Sequence, residues 1–543
     1  MADAVADEII KEFDRISSDR GTAESTWNEI AERVLPSYAN SFNANQIARV
    51  EGEKRTDKLF DSTASVALDR FAAIVDSMVT PRNATWHRLL PSDPYLMKRR
   101  PVRLWFEEAT RVLFKYRYAP KANFASQNQQ VYKSVGAFGT GPMFIDRLMS
   151  EPGLRYRNIH LGEIFLQENH QGIVDKAHRY FPLTARQAMQ RWGDKLPEAI
   201  RTAATGTNAD KKFWFIHCVK PRDDVAYGRM DAKGKPIAEY YVSKEERALI
   251  EEGGYYTFPY AVSRYEQAPG EVYGRGPAMS VLPAIKTLNE QKKTLLKQGH
   301  RTVDPVILAH DDGVLDGFDM KPGAFNAGGV SQDGKLLVHT LPVGRVDVGK
   351  EMMDDERTVI NDAFLVTLFQ ILVETPTMTA TEVLERTREK GILLAPALGR
   401  IQSEYLGPLI EREVDLLIAQ QLMPPMPPEL VEAKGEYTVE YDSPLSLSMR
   451  AGEAAGLMRT VQTALEVVNV TQDPSPLDRI NFDLALPDIA DIQGVPQKWM
   501  RSEDEVLAIR AKRDEQAQTK QLTDALPGVA AMTKAAAVAD KGQ

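Results

Sequence analysis

The pattern of apolar and polar positions along the N-terminal half changes from a helical to a strand period at about residue 142. Over 9–16, apolar residues recur every three to four positions, which predicts an amphipathic helix. The clearest predicted helix follows Asp61 and Ser62, two candidate N-caps, and stops at Pro81. From about 142 to 270, short aromatic and β-branched runs separated by turn residues predict strands.

Two further helical patterns enclose a different kind of segment in the middle of the chain. One runs over 277–300 and the other roughly over 348–370. The residues between them, 302–345, are rich in Gly, Asp and Pro and contain two short strand-like runs. The simplest arrangement is an antiparallel helical stalk with a small β module at its tip. The whole pattern predicts an α+β fold that is rich in helices.

The stretch GVSQDGKL at 329–336 has the glycine and lysine spacing that opens a phosphate-binding loop. That motif needs Ser or Thr after the lysine to hold magnesium, and it must open a helix. Here Leu336 follows Lys335, and the next residues alternate like a strand. A hairpin that turns at Asp333-Gly334 therefore explains the stretch better.

Two Gly-x-Gly stretches are also candidates for a nucleotide-binding motif. They are FGTGPM at 138–143 and YGRGPA at 273–278. Neither has the third glycine of a dinucleotide-binding motif at the right spacing. We expect both to be turns beside helix starts.

Composition and charge narrow the functional classes. The 543 residues are 43% hydrophobic and carry a formal net charge of -9, whereas sequence-specific DNA binders usually have a basic domain. The single cysteine, Cys218, excludes an intrachain disulfide framework and a cysteine-rich zinc site. The N-terminus lacks the pattern of a secretory signal, and the longest apolar run, 363–373, is too short to span a bilayer. We expect a soluble protein of intracellular origin, and no residue pattern supports an enzyme.

One predicted helix carries a cluster of cations opposed by Glu290 alone, namely Lys286, Lys292, Lys293, Lys297 and Arg301. Three of them, Lys286, Lys293 and Lys297, lie close to one stripe of the helix. The stripe is typical of a solvated helix face. It also suits phosphate contact without base readout, or a bridge to the acids of a neighbouring subunit.

Five sequence stretches, which occur in the same order as in a known protein family, indicate a resemblance that covers the chain up to about residue 510. They are LFDSTASVALDRFAAIVDSMVTPRNATWHRL, NFASQNQQVYKSVGAFGTGPMFI, VYGRGPAMSVLPAIKTLNEQKK, TATEVLERTREKGILLAPALGRIQSEYLGPLIERE and YDSPLSLSMR. With these stretches the chain resembles the portal, or head-to-tail connector, proteins of short-tailed bacteriophages.

The resemblance implies an order of domains along the chain. A wing is followed by a stem helix, a clip, a second stem helix, a tunnel loop, a long helix that joins wing and crown, and a C-terminal wing or crown. A tail that is either crown or disordered comes last. The implied ranges are 1–275, 276–301, 302–346, 347–371, 372–380, 381–440, 441–510 and 511–543.

The resemblance also implies a function. Such a protein forms a ring, normally of twelve copies, at one vertex of the virion capsid, and it is assembled in the host cytoplasm. Double-stranded DNA passes through the ring without sequence-specific binding. The implied partners are the capsid protein, the terminase large subunit and tail adaptor proteins. The implied protein has no catalytic residue, no cofactor, no metal site and no membrane contact.

The residues expected to serve this function fall into three groups. The tunnel loop is expected to face DNA with Glu374, Thr375, Pro376, Thr377 and Met378. The cation stripe of the stem is expected to face DNA with Lys286, Lys292, Lys293, Lys297 and Arg301. The clip is expected to dock partners with Asp311, Asp312, Asp319, Asp333 and Lys335. Two alternatives remain: another ring-forming head-tail protein such as a tail adaptor, and a DNA-handling enzyme, for which no P-loop or metal-binding acid cluster is found.

Overall fold

A computed structural model describes residues 2–42, 52, 55–309, 319, 321–342, 346–367, 399–441, 444–472, 475–492, 495, 499–501 and 505–517. The α-helices are α1 (Ala2–Asp19), α2 (Gly21–Val34), α3 (Thr63–Val79), α4 (Arg100–Arg117), α5 (Phe124–Phe138), α6 (Ala185–Trp192), α7 (Glu198–Thr205), α8 (Pro277–Ser280), α9 (Leu282–Val303), α10 (Val346–Ala363), α11 (Gly407–Ala419), α12 (Pro428–Glu432), α13 (Pro444–Thr471) and α14 (Phe482–Ile492). A π-helical segment, Ile401–Leu406, precedes α11, and residues 505–517 are also helical.

The strands are β1 (His87–Pro91), β2 (Thr140–Arg147), β3 (Leu154–Asn158), β4 (Ile164–Glu168), β5 (Val174–Thr184), β6 (Lys212–Pro221), β7 (Ile237–Ser243), β8 (Ala248–Tyr255), β9 (Tyr260–Arg264), β10 (Ile307–Ala309), β11 (Val338–Thr340) and β12 (Tyr437–Tyr441). Helices predominate in sequence regions with a helical period, and most strands fall in the predicted β-rich part. The predicted α+β class is therefore confirmed.

The chain divides into two compact units. The first comprises Met1–Trp86 and Leu113–Met423, and the second comprises His87–Val112 and Pro424–Gln543.

The first unit contains an antiparallel five-stranded sheet in the order β4-β5-β6-β7-β8, with helices on both faces. Residues of β6 alternate between these faces, as a strand requires. Ile216 packs under Phe13 of α1, and Phe215 packs under Trp192 of α6. The aromatic and β-branched composition that predicted strands is therefore explained by burial on two sides.

A second sheet of the first unit, in the order β3-β2-β9, brings the two Gly-x-Gly stretches together. Gly139 ends α5 with a positive φ of 75°, and its ideal Cβ would lie 2.3 Å from the carbonyl oxygen of Gly274. The N–H of Gly274 donates to Oγ1 of Thr140 over 2.8 Å. The ideal Cβ of Gly276 would lie 2.6 Å from the carbonyl oxygen of Val135. The glycines therefore permit a close contact between two backbones.

Helix boundaries in the first unit follow local signals closely. Thr184 and Gln187 form a capping box at the start of α6, and Gly193 follows its last residue. Pro283 lies in the first turn of α9, where its missing N–H costs no helical hydrogen bond. Helix α10 ends at Ala363 and Leu365 adopts a positive φ of 62°, while residues 368–370 of the predicted helix lie outside the described residues.

The second unit is built on an antiparallel pair of strands, β1 and β12, with His87 opposite Tyr441. The N–H of Leu89 donates to Oγ1 of Thr110 in α4 over 3.1 Å. Nε1 of Trp105 donates to the carbonyl oxygen of Pro424 over 3.0 Å. Residues far apart in sequence are thus joined by one strand pair and two side-chain hydrogen bonds.

Candidate functional site

The two helices predicted to form a stalk, α9 and α10, pack against each other. A Cβ on Gly349 would lie 3.0 Å from Cδ1 of Leu295, so the helices approach closely there. Further along the pair, Asn289 of α9 and Arg357 of α10 both reach Asp61. From the first contact to the second, the residue numbers fall along α9 and rise along α10, so the helices run antiparallel.

The base of this pair is fastened to the start of α3. The Oδ1 atom of Asn289 accepts hydrogen bonds from the N–H groups of Phe60 (2.8 Å) and Asp61 (3.1 Å). The carboxylate of Asp61 accepts from the N–H of Thr63 (2.9 Å) and from Nη2 of Arg357 (2.7 Å). Burial would raise the pKa of Asp61, but the bonds from Thr63 and Arg357 outweigh it and lower that pKa. Asp61, one of the two predicted caps of α3, therefore also anchors α10, whereas Ser62 occupies the N-cap position without a side-chain capping bond.

Two of the five cations predicted to face DNA have partners within the chain. Nζ of Lys286 lies 2.7 Å from the carboxylate of Glu29 in α2, and this bond lowers the pKa of Glu29. Nζ of Lys293 lies 3.4 Å from Glu290 and 5.5 Å from the ring centre of Phe60. The ion pair with Glu29 and the contact with the ring of Phe60 attach α9 near its base, whereas the pair with Glu290 lies within α9.

The other three cations lie further along α9 or on another side of it. No ion pair involves Lys292, Lys297 or Arg301 within the part of the chain that the structure describes. Lys297 and Arg301 are exposed, whereas Lys292 is half-buried. At about 100° per residue, Lys286, Lys293, Lys297 and Arg301 share one face, and Lys292 lies off it. The structure therefore brings together four of the five predicted residues.

The GVSQDGKL stretch forms a hairpin between α9 and α10. The N–H of Gly334 donates to the carbonyl oxygen of Ser331 over 3.0 Å, and the N–H of Ser331 donates to the carbonyl oxygen of Lys335 over 2.8 Å. Gly334 has a positive φ of 74°, and Val330 bridges Leu336 in antiparallel fashion. The predicted turn thus centres one residue earlier, on 332–333, and Gly334 supplies the bulge that follows it.

This geometry excludes the phosphate-binding loop as an interpretation of the stretch. In that loop the lysine opens a helix whose N-terminal N–H groups face the phosphates. Here a bridging residue, Leu336, follows Lys335, and the chain continues into β11, which pairs with β10. Among the described residues of this segment, the β structure consists of the hairpin and the β10–β11 pair.

The predicted docking residues in this segment are exposed where the structure describes them. The carboxylate of Asp319 accepts from the N–H of Lys321 over 3.1 Å, and its backbone pairs with the amide of Asn326. Asp333 and Lys335 lie exposed at the hairpin. The other predicted residues, Asp311, Asp312 and the tunnel-loop residues Glu374, Thr375, Pro376, Thr377 and Met378, lie outside the described residues.

The same segment exposes large apolar side chains, a feature that the sequence did not reveal. The side chain of Phe325 is 93% exposed and that of Val303 is 88% exposed. Large exposed apolar patches usually mark interaction surfaces, and this segment is therefore a candidate for one. The members are Val303, Val306, Leu308, Phe325, Val330, Leu336 and Leu341.

The π-helical segment that precedes α11 is held by two consecutive residues, which the sequence did not single out. Glu404 lies 2.7 Å from Nε of the buried Arg264 in β9. The hydroxyl of Tyr405 donates to Oδ1 of Asn128 in α5 over 2.7 Å. π-Helical turns are rare and often occur at functional sites. Here the turn fixes the start of α11 to two other elements of the first unit.

Two features are absent from the described ranges. Nowhere in them do three or more His, Cys, Asp or Glu side chains converge as they would around a metal ion. Among the helices that the structure describes, none combines the length and apolar character needed to cross a bilayer.

Comparison with known proteins gives one family. The model of the family described as bacteriophage head to tail connecting protein matches residues 6–500. A relative named "Portal protein" from Salmonella phage epsilon15 is 27% identical over 533 residues, which cover 96% of this chain and 93% of the relative. A relative named "Probable portal protein" from Bordetella phage BPP-1 is 26% identical over 522 residues, which cover 94% and 92%.

A solved structure also shows similarity. It is titled "Virion of native gene transfer agent (GTA) particle" and is 11% identical, with 74% of this chain and 86% of that chain covered. The TM-score is 0.36.

Proposed function

Because this chain belongs to the family of bacteriophage head-to-tail connecting proteins, we propose that it forms a closed ring at one vertex of a phage capsid and that DNA passes through the ring. The ring is proposed to contain twelve copies. It acts in the virion as the channel for DNA packaging and ejection, and it is assembled in the host cytoplasm.

One observation supports the assembly most directly: the exposed apolar side chains from Val303 to Leu341, in the part of the chain that joins α9 to α10. Phe325 and Val303 have almost no cover within the chain, and five further apolar side chains of this segment are also exposed. Exposure of apolar side chains to water is unfavourable, and their burial under another chain stabilises the assembly. A ring supplies that cover at the same place in every copy.

We infer the docking partners from the position of this surface, which lies at the far end of the α9–α10 pair. We propose that the end carrying Asp319, Asp333 and Lys335 docks the terminase large subunit during packaging and tail adaptor proteins afterwards. The capsid protein is proposed as a further partner. The names and nearly complete coverage of the two relatives favour a portal protein over a tail adaptor.

DNA contact in the channel is proposed to be independent of base sequence. The chain carries a net charge of -9, and strong phosphate binding would hinder the sliding of a polyanion. The segment 374–378 remains the predicted tunnel loop. We propose no catalytic role and no cofactor, because the names of this family describe a structural connector.

The mass of the purified protein in solution tests the assembly. At micromolar concentration we expect one dominant species whose mass is a fixed multiple of 60.7 kDa. The multiple should not change with further concentration, because a closed ring has no free end. A monomer at all concentrations, or a broad series of open oligomers, would contradict the proposal.

A further inference from the structure

The two helices of the stalk carry opposite charges. Helix α9 has the five cations described above and one acid, Glu290. Helix α10 has two cations, Lys350 and Arg357, and the acids Asp347, Glu351, Asp354, Asp355, Glu356 and Asp362. Helix α9 therefore carries a net positive charge and α10 a net negative charge, although the two helices pack against each other.

Three cations of α9, Lys293, Lys297 and Arg301, lie on the side away from α10. Leu295 is the residue that contacts Gly349 of α10. Lys293 and Lys297 flank Leu295 at two positions on either side, and residues two positions apart on a helix are about 200° apart. Arg301 lies one turn beyond Lys297 and is exposed. We call Lys293, Lys297 and Arg301 the basic face.

Two acids of α10, Glu351 and Asp355, lie on the side of the helix away from its buried residues. Met353 and Ile360 are buried. Glu351 and Asp355 flank Met353 at two positions on either side, so they point away from it by the same reasoning. Both are exposed and form no ion pair within the described residues. We call Glu351 and Asp355 the acidic face.

The α9–α10 pair therefore has a basic face and an acidic face on opposite sides. These faces cannot meet within one chain, because the two packed helices lie between them. A second copy rotated about a common axis can bring its acidic face to the basic face of the first. Such a head-to-tail contact uses two different surfaces and closes into a ring when the rotation closes.

We propose that the basic face of one copy contacts the acidic face of the next copy, and that this contact fixes the order of subunits around the ring. The inference rests on the ring proposed above. Opposite charges steer the encounter of copies and reject the wrong orientation, in which like charges would meet.

A groove beside the basic face supplies surface for the same contact. It has a volume of about 580 Å³ and is lined by residues of both helices, including Thr287, Thr294, Leu295 and Met352. Met352 is 53% exposed, and the nearby Val359 is 50% exposed. Side chains of the next copy can fill this groove, so the contact combines apolar burial with charge pairing.

Contact with DNA explains the same observations less completely. A duplex would neutralise the basic face but would leave Glu351 and Asp355, on the opposite side of the helix pair, without a partner. It would also leave the exposed apolar side chains of α10 without cover. A second copy satisfies the basic face, the acidic face and the groove together.

Two charge-reversed variants of the full chain test the proposal. The first is Lys297→Glu with Arg301→Glu, and the second is Glu351→Lys with Asp355→Lys. Each gives copies whose two faces carry the same sign, so each alone should need at least about tenfold more protein to form rings. When the two variants are mixed in equal amounts, every contact joins opposite charges, and rings of alternating copies should form at the wild-type concentration.

The control is Arg70→Glu with Arg82→Glu, which changes the net charge as much as the first variant does. Both arginines are exposed and lie outside the two faces. This control should form rings as the wild type does. Circular dichroism of each variant establishes that it is folded, and the recovery on mixing shows independently that both variants retain their structure.

The outcomes separate this inference from the proposed function. If wild-type protein forms no rings, the proposed function fails, and the inference fails with it. If both reversed variants form rings at the wild-type concentration, only the inference is overturned. If the first variant forms rings normally but loses affinity for duplex DNA of random sequence, the basic face contacts DNA and the inference is wrong.

Discussion

The guanidinium of Arg117 and the carboxylate of Glu413 form an ion pair in which neither side chain is exposed to solvent. Nε of Arg117 donates to Oε1 of Glu413 over 3.0 Å, and Nη2 donates to Oε2 over 2.5 Å. The hydroxyl of Tyr156 donates to Oε1 over 2.6 Å, and Trp86 stacks 4.6 Å from the guanidinium. Burial opposes the charge on Arg117, but Glu413 outweighs it and raises the pKa of Arg117. The pair joins the end of α4 to α11.

Removing one partner of this pair should destabilise the first unit strongly. Glu413→Leu leaves the charge of Arg117 buried and unpaired, which costs about 3–5 kcal/mol. Thermal unfolding followed by tryptophan fluorescence measures the effect, and Trp86 reports on the site directly.

The double variant Arg117→Met with Glu413→Leu provides the matched comparison. It removes both charges, so it should be more stable than Glu413→Leu alone. Recovery should be incomplete, because Tyr156 then lacks its acceptor. A double variant less stable than Glu413→Leu would show that the pair is not what stabilises this contact.

A methyl group at Gly274 should disrupt the contact between the two glycine stretches. The ideal Cβ of Gly274 would lie 2.4 Å from the carbonyl oxygen of Gly139, and a backbone atom cannot move aside as a side chain can. Gly274→Ala should therefore lower the unfolding temperature of the first unit. Gly299→Ala is the control, since nothing lies within 4 Å of its Cβ, and alanine there should stabilise α9 by up to about 1 kcal/mol. Equal effects of the two substitutions would argue against the close approach.

Docking of α1 on the five-stranded sheet should depend on pH through Glu12 and His178. Their side chains lie 3.6 Å apart, and Sγ of the buried Cys218 lies 3.3 Å from Nε2 of His178. The hydrogen bond to His178 lowers the pKa of Glu12 from 4.5 to about 2. Burial disfavours the charged imidazole, but Cys218 and Glu12 outweigh it and raise the pKa of His178 from 6.5 to about 9.

The two shifts give opposite slopes of stability with pH. The lowered pKa of Glu12 contributes stability above pH 4.5, and this stability is lost as pH falls toward 2. The raised pKa of His178 contributes stability below pH 6.5, and this stability is lost as pH rises toward 9. Hydrogen exchange in α1, corrected for the intrinsic rate, should therefore be slowest between pH 4.5 and 6.5. In His178→Gln the acceleration between pH 6.5 and 9 should disappear, and its persistence would rule out His178 as the titrating group.

The hairpin at Gly334 predicts that the protein alone does not turn over ATP through Lys335. The lysine stands after a bulge and before a strand, so no helix N-terminus is available for phosphates. Steady-state phosphate release by the purified protein should equal the buffer background, and Lys335→Ala should leave it unchanged. A measurable rate that Lys335→Ala abolishes would contradict this assignment.

Local patterns predicted the elements well because the relevant physics is local. The period of apolar residues located α1, and Asp61, Ser62 and Pro81 marked the ends of α3. The turn chemistry of the hairpin was also readable, although the turn lies one residue earlier than predicted. Each of these features depends on residues within a few positions of one another.

Contacts between distant residues were not predictable in the same way. Gly274 and Thr140 meet although they are 134 positions apart, and nothing in either glycine stretch indicates its partner. The pairing of Lys286 with Glu29 likewise depends on the packing of α9 beside α2. Glu404 and Tyr405 acquire their roles from a π-helical turn, for which the sequence gives no periodic signal.

A cryo-electron microscopy image of the purified protein along the ring axis tests the central claim most directly. The account predicts a closed ring with one α9–α10 pair per copy around a channel wide enough for a DNA duplex. Monomers, open filaments or a ring without a central channel would contradict it.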